Sequence, residues 1–221
     1  MINDKIYICG TTTDDGGFHW NNLCKKYPEI ASMRAEFCSK LNFDYQPKIT
    51  SNRNSKIATG TATVTKSIVL NKRLLDELNS RPEVVRAVLA HEFIHLKYKD
   101  PSKNLKRFFT STGWLVLSKE SMGISLLHEI RANIEGYALT GFSGDIIEDI
   151  EMHLKAINRN KDKESQYKVG YPSREQAAQY AQNYKIMNRQ IATEILNDYC
   201  ELRKIPNKSL FIDKCIKLAN I

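Results

Sequence analysis

The chain has little of what marks disulfide-rich, secreted or membrane-spanning proteins. Its five cysteines are odd in number, widely spaced and never arranged as C-x-x-C, so we expect reduced thiols and no cysteine-bound zinc. The most apolar stretch, 108–117, is about half of the ~20 residues that a transmembrane helix needs, and we interpret it as a buried core helix. The N-terminus lacks the basic region and apolar core of a secretory signal. We therefore expect a soluble, cytoplasmic protein.

Long runs of one charge are also missing. The net charge is +8, but no basic run is longer than two residues, and no helix-turn-helix or similar reader motif accompanies the basic residues. A solvated surface explains such scattered charges, and we expect no nucleic-acid partner. Internal repeats and low-complexity tracts are absent as well. A chain of 221 residues with 42% apolar composition can bury one good core.

The most informative segment that is present is the pentapeptide H-E-F-I-H, at 91–95. On a helix, His91 and His95 lie one turn apart on the same face, so both imidazoles can reach one metal ion. Glu92 projects near the same place without being a ligand, where it can accept a proton from a metal-activated water. This pattern predicts zinc-dependent hydrolysis of peptide bonds.

The residues before the pentapeptide predict that it lies in a largely buried helix. Ser80, Pro82 and Glu83 indicate a helix start, with a hydroxyl N-cap, a proline at the first helical position and a glutamate that completes a capping box. Apolar residues follow at helical spacing up to about Tyr98. Because buried polar groups are costly without a partner, a shared metal ion is the expected partner of the imidazoles.

A catalytic zinc site needs a third protein ligand and one open position. The best candidate is Glu129, which begins the sequence E-x-x-A-N within 128–137. The apolar residues around it favour a second helix.

These motifs resemble those of gluzincin metallopeptidases of the HtpX and CAAX-prenyl-peptidase type. The segment 86–100, up to and including Asp100, is similar to that family's helix around H-E-x-x-H, and 132–142 is similar to the helix that follows its E-x-x-A-D motif. The resemblance covers about 57–176. It implies a zincin-like fold, here in a soluble variant without membrane spans.

The resemblance also implies roles for individual residues. One zinc ion per chain would be bound by His91, His95 and Glu129. Asn133 stands where the family has the aspartate that supports a ligand histidine, so we expect a weaker, neutral partner there. Tyr171 stands where the family has a late histidine, which makes it the candidate oxyanion donor. Alternatives for the oxyanion role are Tyr137 and His153.

We expect the substrate to be a protein or peptide bound in extended form. A strand over about Ala58–Thr63 could pair with its backbone, with Gly60 either allowing close approach or accommodating a bulge. Glu92 would act as general base and then return the proton to the leaving amine. Two alternatives stay open: an ImmA-like protease acting on a repressor, which shares the E-x-x-A-N sequence, and a catalytically silent zinc-binding adaptor.

The expected fold class is α+β, mostly helical, with a small sheet beside the active-site helix. Alternating apolar residues predict two or three strands in 47–70, and 158–170 is predicted to be a polar loop. We predict a metallopeptidase domain over 1–176 and a helical C-terminal extension over 177–221, packed on the same domain. Helices are expected at 28–41, 71–79, 82–98, 102–118, 121–140, after Ser143, and from Pro172 onward.

Overall fold

The computed structural model describes residues 22–52, 60–102, 118–158 and 162–221, and the chain divides after Ser102 into two compact units. The first unit contains α1 (Leu23–Lys26), α2 (Pro28–Lys40), β1 (Lys48–Asn52), β2 (Gly60–Ala62), β3 (Ser67–Asn71), α3 (Lys72–Asp76) and α4 (Pro82–Tyr98). The second contains α5 (Lys119–Thr140), α6 (Asp145–Asn158), α7 (Lys163–Lys168), α8 (Arg174–Asn183), α9 (Arg189–Leu202) and α10 (Lys208–Ala219). The predicted class, α+β with a predominance of helix, is confirmed.

The strands of the first unit form one mixed sheet in the order β1-β3-β2. The central strand β3 pairs in parallel with β1, where Ile49 lies beside Ile68, and antiparallel with β2, where Ala62 lies opposite Ile68. Strand β2 is therefore an edge strand among the described residues. The prediction of two or three strands in 47–70 is confirmed, while residues 53–59, including the predicted strand residue Ala58, lie outside the described part of the chain.

Helix α4 packs against this sheet through the apolar residues that predicted its helical period. Val84, Val85 and Leu89 are fully buried. Phe93 is also buried and makes an edge contact with Phe37 of α2, with ring centroids 5.5 Å apart. A polar contact adds to this packing, since Arg86 Nη2 donates to Glu36 Oε1 at 2.6 Å. Helix α4 is thus held on both the sheet side and the α2 side.

The core of the second unit forms around the long helix α5. Ile130 and Ile134 of this helix are fully buried in a cluster with residues of α9 and α10. Gly123 allows the close packing, because a Cβ there would lie 3.3 Å from the Phe211 ring and 3.4 Å from Cys215 Sγ. The chain after residue 177 therefore supplies part of the core against which α5 packs.

Two details differ from the sequence-based prediction. Helix α4 begins at Pro82 as predicted, but its N-cap is Arg81, and Ser80 instead donates its hydroxyl to the Glu77 carbonyl in the preceding turn. The predicted loop 158–170 contains the short helix α7. Asp162 caps that helix by accepting from the Ser165 amide, and Tyr167 of the helix contacts Asp198 of α9.

Three further predictions concern segments and boundaries. The proposed core helix at 108–117 lies outside the described residues. No helix in the described part of the chain has the length and apolar character that crossing a membrane requires. The division after residue 176 stays a prediction, and α8 runs through that position.

Candidate metal centre

Helix α4 brings its two histidines together. The Nε2 atoms of His91 and His95 are 3.0 Å apart, and the ring centroids are separated by 4.7 Å. This follows from the spacing of four residues, which places both side chains on one face of the helix. Two nitrogens bound to one zinc ion at 2.0–2.1 Å and a tetrahedral angle would be about 3.3 Å apart. The observed arrangement fits a pair of imidazole ligands for one metal ion.

A buried carboxylate fixes the orientation of the second imidazole. Asp100 Oδ2 lies 3.1 Å from His95 Nδ1, and Asp100 is only 1% exposed. The contact is possible because Lys99 ends α4 in the left-handed conformation, with φ of 58°, which turns the chain back toward the helix. Asp100 lies within the segment 86–100 that resembles the family's helix, but that segment alone predicts no role for it. The signal for such a role is a carboxylate just after the end of the helix that carries the motif.

The tautomer of His95 follows from this contact. An imidazole that donates its Nδ1 proton to a carboxylate carries a lone pair on Nε2, which is the atom that faces His91. A carboxylate partner also raises the basicity of the ring and therefore its strength as a metal ligand. One short stretch of chain thus supplies both the candidate ligand His95 and the carboxylate of Asp100 that orients it.

The glutamate between the two histidines contacts the edge strand. Glu92 is buried, and its Oε2 accepts a hydrogen bond of 2.6 Å from the Ala62 amide. Gly60 lies against the same side chain, since a Cβ at that position would be 3.0 Å from both Glu92 Cγ and Glu92 Oε1. Gly60 of β2 therefore lies in close contact with α4, while its predicted roles, close approach of a substrate backbone or a bulge, stay predictions. Pairing of this strand with a substrate stays a prediction.

Glu129 and Asn133 lie on α5, as the sequence predicts. The side chain of Glu129 is half-buried and that of Asn133 is buried. Their spacing of four residues places them on one face of that helix. Their roles as third ligand and as partner of a ligand histidine stay predictions.

The three candidate oxyanion donors differ in environment. Tyr171 is 45% exposed in the connection between α7 and α8. Tyr137 is buried and donates its hydroxyl proton to Glu151 Oε1 at 2.8 Å, while burial and the nearby Glu151 charge raise the pKa of Tyr137 well above its usual value. His153 is half-buried on α6. Tyr137 therefore uses its single proton within the second unit, whereas the role of Tyr171 stays a prediction.

A buried ion pair beside Tyr137 was not anticipated from the sequence. Glu151, only 1% exposed, accepts from Arg174 Nη1 at 3.0 Å. Burial opposes the charge on Arg174, but the carboxylates of Glu151 and Glu129 outweigh it and raise the pKa of the guanidinium. Since these residues lie on α5, α6 and the start of α8, this network links three helices of the second unit.

Comparison with known proteins gives one match. The model of a family described as peptidase family M48 matches residues 25–164, which is well over half of the chain. That range includes all residues of H-E-F-I-H, Asp100 and Glu129. No curated protein and no solved structure gives a match.

Proposed function

The chain belongs to peptidase family M48 and is a metallopeptidase by that membership, and we propose that it hydrolyses protein substrates as a zinc-dependent endopeptidase. The observation that supports this most directly is that the Nε2 atoms of His91 and His95 converge, while Asp100 contacts Nδ1 of His95. Family M48 is zinc-dependent in general. An imidazole pair oriented by a carboxylate is the kind of donor set that zinc prefers.

We assign the third ligand to Glu129. Each residue of the set His91, His95 and Glu129 offers one ligand atom of a type that zinc binds. Two histidines and a glutamate leave a fourth position for water, which is the composition of a catalytic and not a structural zinc site. The family match supports the assignment, because it includes both the H-E-F-I-H helix and the helix that carries Glu129.

We assign the role of general base to Glu92. When bound, zinc supplies a Lewis acid that polarises the scissile carbonyl and lowers the pKa of water toward ~7. Glu92 accepts the proton that this water loses through a carboxylate oxygen and then delivers it to the leaving amine. A carboxylate can perform both transfers because its protonated form is an acid that is strong enough for the second step.

We propose that the substrate binds as an extended segment along the sheet edge formed by β2. Among the described strands β2 lies at an edge of the sheet, which is the place where a peptide can add as a further strand. Loops and unfolded regions can adopt this conformation, whereas folded surfaces cannot. Unfolded proteins are therefore the class of substrate to test first.

The first test compares the zinc content of wild-type protein and Glu129→Ala, purified without chelators. We expect one zinc per chain in the wild type and a clear loss in the variant. Glu120→Ala is the matched control, because Glu120 is an acidic residue of the same helix that forms an ion pair with Lys214. Full zinc retention in Glu129→Ala would place the third ligand elsewhere.

The second test measures cleavage of fluorescently labelled casein, an unfolded protein, by the zinc-loaded enzyme. We expect turnover that a chelator abolishes and added zinc restores. Stoichiometric zinc without cleavage of casein or of a peptide library would contradict the endopeptidase proposal. That result would instead favour the adaptor alternative, in which the cleft binds a protein without cleaving it.

A further inference from the structure

The edge strand β2 approaches helix α4 unusually closely at Gly60. A Cβ added there would lie 2.9 Å from Val88 Cγ1, a distance that real Cβ atoms essentially never show, and 3.0 Å from Glu92 Oε1, which is tighter than most real Cβ contacts. Both neighbours belong to the inner face of α4, and both are buried. A larger residue at this position would force the strand or these side chains to shift, so glycine is what lets β2 lie in contact with the Glu92 side chain.

The pairing of β2 with β3 determines which backbone groups point toward the helix. The Thr63 amide donates to the Ser67 carbonyl at 2.9 Å, so Thr63 is a hydrogen-bonded position of the antiparallel ladder. Successive residues of a strand alternate in direction, which turns the Ala62 amide away from β3. The Ala62 amide instead donates to Glu92 Oε2 at 2.6 Å.

We propose that the Ala62 amide is a positioning group for the reaction, which holds the Glu92 carboxylate in the orientation that proton transfer requires. The role in catalysis rests on the proposed function, since it takes Glu92 as the general base. A glutamate side chain has several rotatable bonds, and a general base must be placed within hydrogen-bond reach of its proton. A backbone donor suits this purpose, because the register of β2 against β3 fixes its position.

The proposal assigns a second task to the edge strand. The strand that is proposed to receive the substrate also fixes the base that acts on it. Gly60 then contributes by having no side chain, which leaves room for the side chain of Glu92. Ala62, whose own side chain takes no part, contributes only its N–H group.

The test that needs no catalysis is amide hydrogen exchange, measured by NMR on ¹⁵N-labelled protein. In the wild type we expect the Ala62 amide to be protected, although it faces away from the ladder. In Glu92→Ala its exchange should accelerate by about tenfold or more, because the acceptor is lost. Thr63 is the internal control, since its ladder bond does not involve Glu92. Unchanged exchange at Ala62 would overturn the proposal.

The second test removes the hydrogen-bond donor, the Ala62 N–H group, and keeps the acceptor, Glu92. Ala62→Pro lacks the N–H group and lies on an edge strand, where proline is tolerated. Ala62→Val keeps the N–H group and is the matched control. For casein cleavage we expect kcat to be about tenfold lower in the proline variant than in the valine variant, with the same zinc content in both. Equal kcat values in the two variants would contradict the positioning role.

The two tests separate this proposal from the proposed function. If Ala62 loses protection in Glu92→Ala but no variant and no wild-type protein cleaves casein, the contact stands and the endopeptidase function fails. If the wild type cleaves casein but Ala62 exchanges equally fast in both proteins, the function stands and the positioning role fails.

Discussion

Two polar residues of helix α4 that belong to the proposed site have partners within the first unit. His95 contacts Asp100, five residues later, and Glu92 contacts the Ala62 amide of a strand that packs on the same helix. These contacts satisfy polar groups whose burial would otherwise be unfavourable. Much of the geometry of the proposed site is therefore built within the first unit.

Replacing Asp100 by Asn should weaken zinc binding by about 10–100-fold, which is the usual effect of losing a charged partner of a ligand histidine. The amide can still accept a hydrogen bond from Nδ1, but it no longer raises the basicity of His95. The measurement is the zinc dissociation constant, by competition with a chromogenic chelator. Asp76→Asn, in the short helix α3 of the same unit, is the control and should bind zinc as the wild type does.

Replacing Glu92 by Gln should leave zinc bound and lower turnover by a factor on the order of 10²–10⁴, because the amide cannot accept the proton. The two measurements are elemental analysis and casein cleavage on the same preparation. Loss of zinc in this variant would mean that Glu92 is a ligand and not the base. Wild-type turnover with zinc bound would mean that another group accepts the proton.

At the scale of elements, an ion-pair cluster links α2 to α4. Hydrogen bonds from Arg86 and from Lys40 hold the pKa of Glu36 at about 2, below its usual 4.5. A carboxylate with a lowered folded-state pKa stabilises the protein above about pH 4.5, and this contribution is lost as the pH falls from there toward 2. Because Glu36 is one-third exposed, solvent screening keeps the contribution small, of the order of ~1 kcal/mol or less.

The variant Glu36→Gln tests this pH dependence. Its free energy of unfolding in urea should be lower than that of the wild type at pH 7, and the difference should shrink between pH 4.5 and 2.5. Glu29→Gln, at an exposed position in the first turn of the same helix, is the control. A difference that stays constant across this pH range would show that the ion pair does not contribute as proposed.

The Tyr137–Glu151–Arg174 network predicts unequal effects of two conservative changes. Glu151→Gln removes the charge that compensates a largely buried guanidinium, and we expect a loss of about 2–4 kcal/mol, reduced from the fully buried case because Arg174 retains some exposure. Tyr137→Phe removes one hydrogen bond and should cost about 1 kcal/mol. Urea unfolding of both variants gives the comparison. Equal losses would mean that the charge on Glu151 is not what stabilises the network.

Local patterns in the sequence were sufficient to predict helix α4 and the sheet of the first unit. Apolar spacing and the position of Pro82 predicted α4, and the alternation in 47–70 predicted the strands. The role of Asp100 could not be predicted in the same way. It depends on a left-handed backbone at Lys99, a conformation that a lysine adopts only where the surrounding fold requires it.

Helix α7 was missed for a related reason. Its sequence is polar, so no apolar period indicates a helix. The helix is held by the buried ring of Tyr167, whose hydroxyl donates to Asp198 at 2.9 Å and accepts from Gln176 at 2.6 Å. Both partners come from later in the chain, and no reading of 158–170 alone could identify them.

At the scale of the whole molecule, the residues that the family model matches and the residues that form the core around α5 cover different ranges of the chain. The match ends at residue 164, whereas the core around α5 includes buried residues of α9 and α10. Arg131 of α5, which is 1% exposed, donates to the Ala219 carbonyl near the end of α10. The helices beyond the match are therefore part of the support for the helix that carries Glu129.

Deleting residues 203–221 tests this dependence. Without α10, apolar side chains of α5 and α9 would be exposed, and we expect the loss of cooperative unfolding in the second unit together with a large loss of bound zinc. Circular dichroism during thermal unfolding and elemental analysis are the measurements. A truncated protein that unfolds cooperatively and binds one zinc would show that α10 is dispensable.

The contact between Arg131 and Ala219 also has a consequence for the order in which the protein folds during synthesis. During synthesis α4 and its histidines leave the ribosome first, and α5 follows without the helix against which it packs. Until α10 has been made, the helix with the proposed third ligand lacks part of its core, and we expect the proposed site to be incomplete on the nascent chain. We therefore expect the proposed activity to appear only after α10 has been synthesised, so that a chain without α10 would not be cleaved by its own site.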